Sequence, residues 1–166
     1  MNIVLHQPEI PHNTGAIGRT CLVTGARLHL VRPYGFYLDE KSLRRAGMDY
    51  WHKVDVREHD NFAQFMEYAA GEISAAPGCT GSILDHIHIV ETGGSSTYSN
   101  VKYNPGDYII FGSETTGLPA AILEEYRQRV VSIPMMGDSR SLNLSVSVGI
   151  VLYEALRQGG FCGLGA

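Results

Sequence analysis

The chain contains little charge and few cysteines. Only 18% of its 166 residues are charged, and the formal net charge is −4. Its three cysteines, Cys21, Cys79 and Cys162, are too scattered to form a disulfide framework or a Cys-x-x-Cys metal pair. A net negative charge also argues against a protein that coats nucleic acid by bulk electrostatics. Any nucleic-acid partner would therefore have to meet a local basic patch.

Long apolar runs are absent as well. The sequence has no stretch of about 18 apolar residues and no basic-then-apolar amino-terminal segment, so neither a membrane span nor a signal peptide is predicted. We therefore expect a cytoplasmic protein with reduced thiols. The hydrophobic fraction of 44% is typical of a globular protein. A chain of this length forms one domain more readily than two, which predicts a single domain over residues 1–166.

Several common motifs of catalysis and nucleotide binding are missing. There is no Gly-x-Gly-x-x-Gly after the first predicted strand and no Gly-x-x-x-x-Gly-Lys-[Ser/Thr], which argues against a Rossmann dinucleotide site and a P-loop. A Gly-x-Ser-x-Gly elbow, the main signal of a serine hydrolase, is also absent. His86 and His88 would share one strand face, but no further zinc ligand is suitably spaced. We therefore expect no metal.

The apolar pattern predicts strands that largely alternate with helices. Strands are predicted at 2–6, 28–31, 51–56, 87–90, 108–111 and 130–133. Helices are predicted at 14–24, 39–46, 60–70, 119–126 and from about residue 144, with a loop at 71–85. This order favours an α/β domain with a mostly parallel sheet flanked by helices. Such a sheet binds its ligand at the carboxyl ends of the strands.

A polar loop at residues 133–143 leads into an uncharged helix. No residue from Leu142 to Tyr153 is charged, and apolar side chains recur at helical spacing. We therefore expect this helix to be buried on most sides, by its own chain or by a second subunit. Either Ser141 or Asn143 could cap the helix. The polar groups at the helix start would also suit an anionic or polar ligand.

Three polar or glycine-containing loops follow predicted strands, at residues 91–95, 112–117 and 135–141. They could line one pocket, in which exposed backbone groups recognise an adenine. Each glycine could equally serve only a turn, and the residues alone leave both interpretations open.

Three segments resemble, in order and spacing, the three motifs of the SPOUT RNA methyltransferases. They are residues 11–20 (PHNTGAIGRT), 111–119 (FGSETTGLP) and 133–145 (IPMMGDSRSLNLS). Three further segments are similar to the TrmL group, whose members are tRNA 2′-O-methyltransferases that act on the wobble nucleotide. These segments are residues 8–15, 43–50 and 153–158. Together the similarities cover nearly the whole chain.

The resemblance implies an α/β fold with a deep trefoil knot near the carboxyl end, a homodimer, and S-adenosylmethionine as methyl donor. General topology rules would have argued against a knot. Residues implied against or near the cofactor are Val90, Thr92, Gly94, Gly112, Gly117, Ile133, Ser141 and Leu142. The implied catalytic cluster contains Asn13, Arg19, Glu114 and Asn143. Candidate RNA contacts are Arg44, Arg45, Arg140 and Tyr153.

The expected reaction methylates the ribose of nucleotide 34, a cytidine or modified uridine, and yields S-adenosyl-L-homocysteine. A ribose hydroxyl is a very weak acid, so its oxygen must be aligned and its proton removed as the bond forms. Because a guanidinium stays protonated, Arg19 suits positioning and charge stabilisation better than proton removal.

Two positions depart from the group's pattern. Thr116 stands where a basic residue is usual, and Val146 stands where asparagine is usual. These departures leave open a noncatalytic RNA- or nucleotide-binding module. Because members of the superfamily modify other RNAs, a ribose methyltransferase of another tRNA position or of rRNA is a second alternative.

Overall fold

Seven parallel strands form one sheet in the order β3-β2-β1-β6-β4-β7-β5. This architecture comes from a computed structural model that describes residues 1–36, 49–76, 81–137 and 141–165. The strands are β1 (Asn2–His6), β2 (Arg27–Val31), β3 (Val56–His59), β4 (Ile87–Val90), β5 (Ser96–Thr97), β6 (Tyr108–Phe111) and β7 (Val130–Ser132). The helices are α1 (Pro11–Thr24), α2 (Phe62–Ala75), α3 (Ala120–Glu125) and α4 (Leu144–Gln158). The predicted α/β fold with a mostly parallel sheet is confirmed.

The inner strands of the sheet are buried on both faces, as expected of parallel strands. Alternate residues of one strand point to opposite faces, so Ile3 and Leu5 belong to one apolar cluster and Val4 to the other. Helices α1 and α4 pack together over the first face, through Ile17, Cys21, Val148, Val151 and Leu152. Helix α2 covers the second face with Phe65 and Ala69.

Several predicted boundaries need correction. The strand predicted at 51–56 is wrong, because Trp51–Lys53 is a 3-10 turn and the strand begins at Val56. The aromatic residues there pack against α1 and do not pair in the sheet. The loop predicted at 71–85 is also wrong in part, since α2 continues to Ala75 and buries Ile73. The sequence analysis missed β5, which has only two residues. The helix predicted at 39–46 lies outside the described residues.

Within one chain, α4 is buried along one face only. Val148, Val151, Leu152 and Ala155 are buried, whereas Val146 is 49% exposed and Tyr153 is 46% exposed. Its own chain therefore covers one face of this helix, and the expected burial of its other sides would need a second subunit. In the described part of the chain, no helix combines the length and apolarity needed to cross a membrane.

His86 and His88 lie at the amino-terminal end of β4 and share one carboxylate. His86 Nδ1 and His88 Nε2 are each 2.9 Å from a different oxygen of buried Asp107. Burial alone would raise the pKa of Asp107, but hydrogen bonds from His88, from the Asn104 backbone N–H and from His86 lower it. The described residues contain no group of three side chains that could hold a metal ion.

A second histidine pair is buried between the outer strands and α2. His29 Nδ1 lies 3.0 Å from His59 Nε2, and the two rings are stacked. Burial, followed by the neighbouring His59, lowers the pKa of His29 to about 3. Burial also lowers the pKa of His59. Both rings are therefore neutral in the folded protein at pH 7.

We predict that acid destabilises the fold through this pair. Because the pKa of His29 is lower in the folded chain than its ordinary value of 6.5, the unfolded chain binds the extra proton as pH falls below about 6.5. From pH 7 to pH 5 the free energy of unfolding should fall by roughly 2 kcal/mol through His29. Urea unfolding at the two pH values measures this loss. It should shrink in His29→Gln and persist in the control His52→Gln, an exposed position. Equal losses in both variants would contradict the prediction.

Candidate active site

A cavity of about 580 Å³ opens at the carboxyl ends of β4, β6 and β7. This is the sheet edge expected for a ligand site, and the volume lies in the usual range for small-molecule pockets. Seven of the eight predicted cofactor residues line it: Val90, Thr92, Gly112, Gly117, Ile133, Ser141 and Leu142. Topology thus brings three loops that are distant in sequence to one cavity wall.

Gly94, the eighth residue, does not line the cavity. A Cβ atom at this position would lie 2.7 Å from the backbone carbonyl carbon of Val131, so glycine allows the chain after β4 to press against β7. The structure therefore gives Gly94 a packing role.

Gly112 and Gly117 shape the wall formed by the loop after β6. A Cβ on Gly112 would collide with the backbone of Gly117 and Leu118. Gly117 has a φ of +67°, a left-handed conformation that favours glycine. The loop closes through a backbone bridge between Ser113 and Gly117. Bare backbone consequently faces the cavity at this point.

Hydrogen bonds around Glu114 join all three motif segments. Its carboxylate accepts from the backbone N–H groups of Glu9 (2.8 Å) and Ile10 (3.2 Å) and from Asn13 Nδ2 (2.9 Å). Asn13 Oδ1 in turn accepts from Asn143 Nδ2 at 3.0 Å. Asn13 is buried, so its amide is held in place from both sides. Three of the four predicted catalytic residues are therefore in direct contact at the cavity.

Asn143 also begins α4. Its Oδ1 accepts from the backbone N–H groups of Ser145 (2.9 Å) and Val146 (3.4 Å). The N-cap is therefore Asn143 and not Ser141, which lines the cavity instead. One side chain thus caps the helix and holds Asn13.

Arg19, the fourth predicted catalytic residue, does not line this cavity. It follows Asn13 by six positions on α1, which turns it about 120° around the helix axis. Its side chain is exposed, and its guanidinium carbon lies 4.6 Å from the centre of the Tyr50 ring. The structure brings Asn13, Glu114 and Asn143 together, but not Arg19.

Of the predicted RNA contacts, Arg44, Arg45 and Arg140 lie outside the described residues. Tyr153 is on the exposed face of α4. The two unusual positions have different surroundings. Thr116 Oγ1 lies 2.8 Å from Ser113 Oγ inside the loop after β6, and Val146 lies on the exposed surface of α4.

Sequence reasoning gave no role to Glu9 or Glu91. Glu9 accepts hydrogen bonds from the backbone N–H and hydroxyl of Thr115. Glu91 accepts from the N–H groups of Thr92 (2.9 Å) and Leu118 (3.2 Å), and so connects the loops after β4 and β6. An acidic residue directly after a buried strand was the available signal for Glu91. In the described part of the chain, the charged residues that line the cavity are Glu91 and Glu114, and both are acidic.

Comparison with known proteins identifies the family of the chain. The SpoU rRNA methylase family model matches residues 1–153. The chain is 44% identical, over 98% of its length and 96% of the relative, to a tRNA (cytidine(34)-2′-O)-methyltransferase from Photorhabdus asymbiotica. The chain belongs to the SpoU methylase family.

Two solved structures extend the likeness to the fold. A crystal structure of a candidate RNA methyltransferase from Bacillus anthracis aligns with a TM-score of 0.86 at 39% identity, covering 99% of this chain and 98% of that one. A second structure concerns the 2-OH methylation of C/U34 on tRNA, and aligns with a TM-score of 0.78 at 42% identity. It covers 96% of this chain and 95% of that one. The match therefore extends along both chains.

We predict that the two candidate caps of α4 differ in their effect on stability. Asn143→Ala removes the cap and the bond to Asn13, and should lower the free energy of unfolding by about 1 kcal/mol or more. Ser141→Ala should change it by less than about 0.5 kcal/mol. Urea unfolding of the two variants measures both effects. A larger loss of unfolding free energy in Ser141→Ala than in Asn143→Ala would contradict the assignment of Asn143 as the cap.

Proposed function

We propose that this SpoU methylase transfers a methyl group from S-adenosylmethionine to the ribose 2′-hydroxyl of wobble nucleotide 34 in tRNA. The observation that carries the proposal is the Glu114–Asn13–Asn143 contact beside a cavity at the strand ends. It supports the motif assignment because it joins the three segments on which the family resemblance rests. The names of the full-length relatives supply the substrate class.

The cavity suits the proposed cofactor in size and charge. Backbone exposed at Gly112 and Gly117 can approach an adenosine closely, and Val90, Ile133 and Leu142 offer apolar contact. The carboxylates of Glu91 and Glu114 favour a positively charged ligand over an anionic one. When bound, S-adenosylmethionine would supply the methyl group from its sulfonium and become S-adenosyl-L-homocysteine, and the proton of the 2′-hydroxyl would pass to solvent.

We assign different roles to the polar residues of the site. Glu114 already accepts three N–H groups, so we assign it to holding the first loop and Asn13, not to proton removal. Asn13 and Asn143 fix the wall where the ribose would lie. We assign Arg19 to positioning the nucleotide and stabilising charge, since guanidinium donates hydrogen bonds and remains protonated. Arg44, Arg45, Arg140 and Tyr153 remain our candidates for RNA contact.

We further propose a homodimer formed through α1 and α4. Val23, Val146 and Tyr153 are 61%, 49% and 46% exposed on these two adjoining helices, and exposed apolar surface of this kind marks an interaction site. Gly149 has open space around it, which allows a second backbone to approach. Arg19 lies on the exposed side of α1, so a dimer would let it serve the cavity of the other protomer.

The knot, the domain boundary and the compartment complete the proposal. We propose a trefoil knot at the carboxyl end of one domain spanning residues 1–166, in a cytoplasmic protein. In support of the knot, Gln158 at the end of α4 donates to Val101 O (3.0 Å) and accepts from Tyr103 N (3.1 Å). The last helix is thus fastened to the segment between β5 and β6, through which the chain would be threaded.

The proposal is tested by following the methyl group. Incubation with labelled S-adenosylmethionine and tRNA lacking its native modifications should label nucleotide 34 at the ribose 2′-oxygen, as mapped by nuclease digestion and mass spectrometry. Ribosomal RNA incubated in parallel should remain unlabelled. Label in ribosomal RNA or at another tRNA position would replace the substrate, and no label in any RNA would favour a binding module.

Arg19 and Gly112 should separate catalysis from cofactor binding. Arg19→Ala should abolish methylation yet leave affinity for S-adenosylmethionine nearly unchanged, because Arg19 is assigned to the nucleotide and not to the cofactor. Gly112→Ala should weaken cofactor binding about tenfold or more, since its Cβ meets backbone. Calorimetry measures binding, and Gly71→Ala, which has open space in α2, is the matched control. Full turnover by Arg19→Ala would overturn its assignment.

A further inference from the structure

Two consecutive aromatic residues pack against the glycine positions of α1. Tyr50 Oη donates a hydrogen bond of 2.7 Å to the backbone carbonyl of Gly15. The Trp51 ring lies against Gly18 so closely that a Cβ there would be 2.6 Å from the ring. The absence of a side chain at Gly18 therefore lets Trp51 lie directly on the helix backbone, and Tyr50 is bonded to the same helix one turn earlier.

This packing places the Tyr50 ring beneath Arg19. The guanidinium carbon is 4.6 Å from the ring centre, within the distance at which a cation is attracted to an aromatic face. In the described part of the chain, no carboxylate pairs with Arg19. Among the described residues, the face of the Tyr50 ring is thus the contact that restricts the long and flexible Arg19 side chain.

A ring suits this task better than a carboxylate. An acidic partner would occupy the guanidinium N–H donors and offset its charge, whereas a ring contacts the flat face and leaves the donors at the edge available. An arginine that must bind a nucleotide and stabilise charge needs both its donors and its charge. Tyr50 restricts Arg19 and leaves both its N–H donors and its charge available.

We propose that Tyr50 is a positioning residue whose ring face holds the Arg19 guanidinium ready for the RNA. The proposal rests on the proposed function of Arg19. The hydroxyl of Tyr50 anchors the ring to α1, and the ring face acts on Arg19. The aromatic ring is therefore the element that the reaction requires.

Three variants test this assignment. Tyr50→Leu removes the ring and should lower kcat about 10- to 100-fold, the loss that a displaced catalytic group produces, with the KM for S-adenosylmethionine unchanged. Tyr50→Phe keeps the ring and should restore kcat close to the wild-type value. Trp51→Leu removes an aromatic ring from the same side of α1 without removing the ring under Arg19. It should lower thermal stability more than kcat.

A second measurement reports the position of Arg19 independently of catalysis. In NMR spectra of arginine-labelled protein, the Arg19 side-chain protons should show a ring-current shift that Tyr50→Leu abolishes and Tyr50→Phe retains. If Tyr50→Leu loses the shift and keeps full kcat, or if wild type shows no shift, the proposal is overturned. Full activity of Arg19→Ala would instead overturn the proposed role of Arg19, whatever the spectra show.

Discussion

The active-site architecture depends on one carboxylate. Glu114 accepts two backbone N–H groups from the loop after β1 and the amide of Asn13, across a separation of more than 100 residues. Without these bonds the buried Asn13 amide would lose a partner, at a cost of roughly 1–3 kcal/mol. Asn13 then holds Asn143, which starts α4. One acidic side chain thereby sets the spacing of three loops and the start of the last helix.

Close backbone packing complements this polar network. Gly94 rests on the backbone of β7, and Gly112 rests on Gly117, so the chain segments around the cavity touch without intervening side chains. The same device recurs on α1, where Gly18 admits the Trp51 ring. Backbone packed this closely has few alternative arrangements. The cavity wall and the surroundings of Arg19 are therefore built from rigid elements, which suits positioning.

Sequence reasoning succeeded where a local pattern had one physical meaning. Compact apolar runs predicted β4 and β6, and Gly25 ended α1 in a left-handed conformation. It failed where tertiary contacts overrode the pattern. Trp51 has the propensity of a strand residue, yet packs on Gly18 within a 3-10 turn. The two-residue β5 is too short for any periodicity, and it is defined only by its pairing with β7.

The sequence alone determined the alternation of strands and helices, the edge of the sheet at which the cavity lies, and, through its motifs, the methyltransferase family. It also identified most of the residues around the cavity, because the family resemblance assigns those residues to the cofactor. Tertiary structure decided which polar groups meet. Only the folded chain shows that Asn143 both caps a helix and holds Asn13, and that Arg19 turns away from its own cavity toward Tyr50. Such facts depend on contacts between residues distant in sequence, and local propensity carries no information about those contacts.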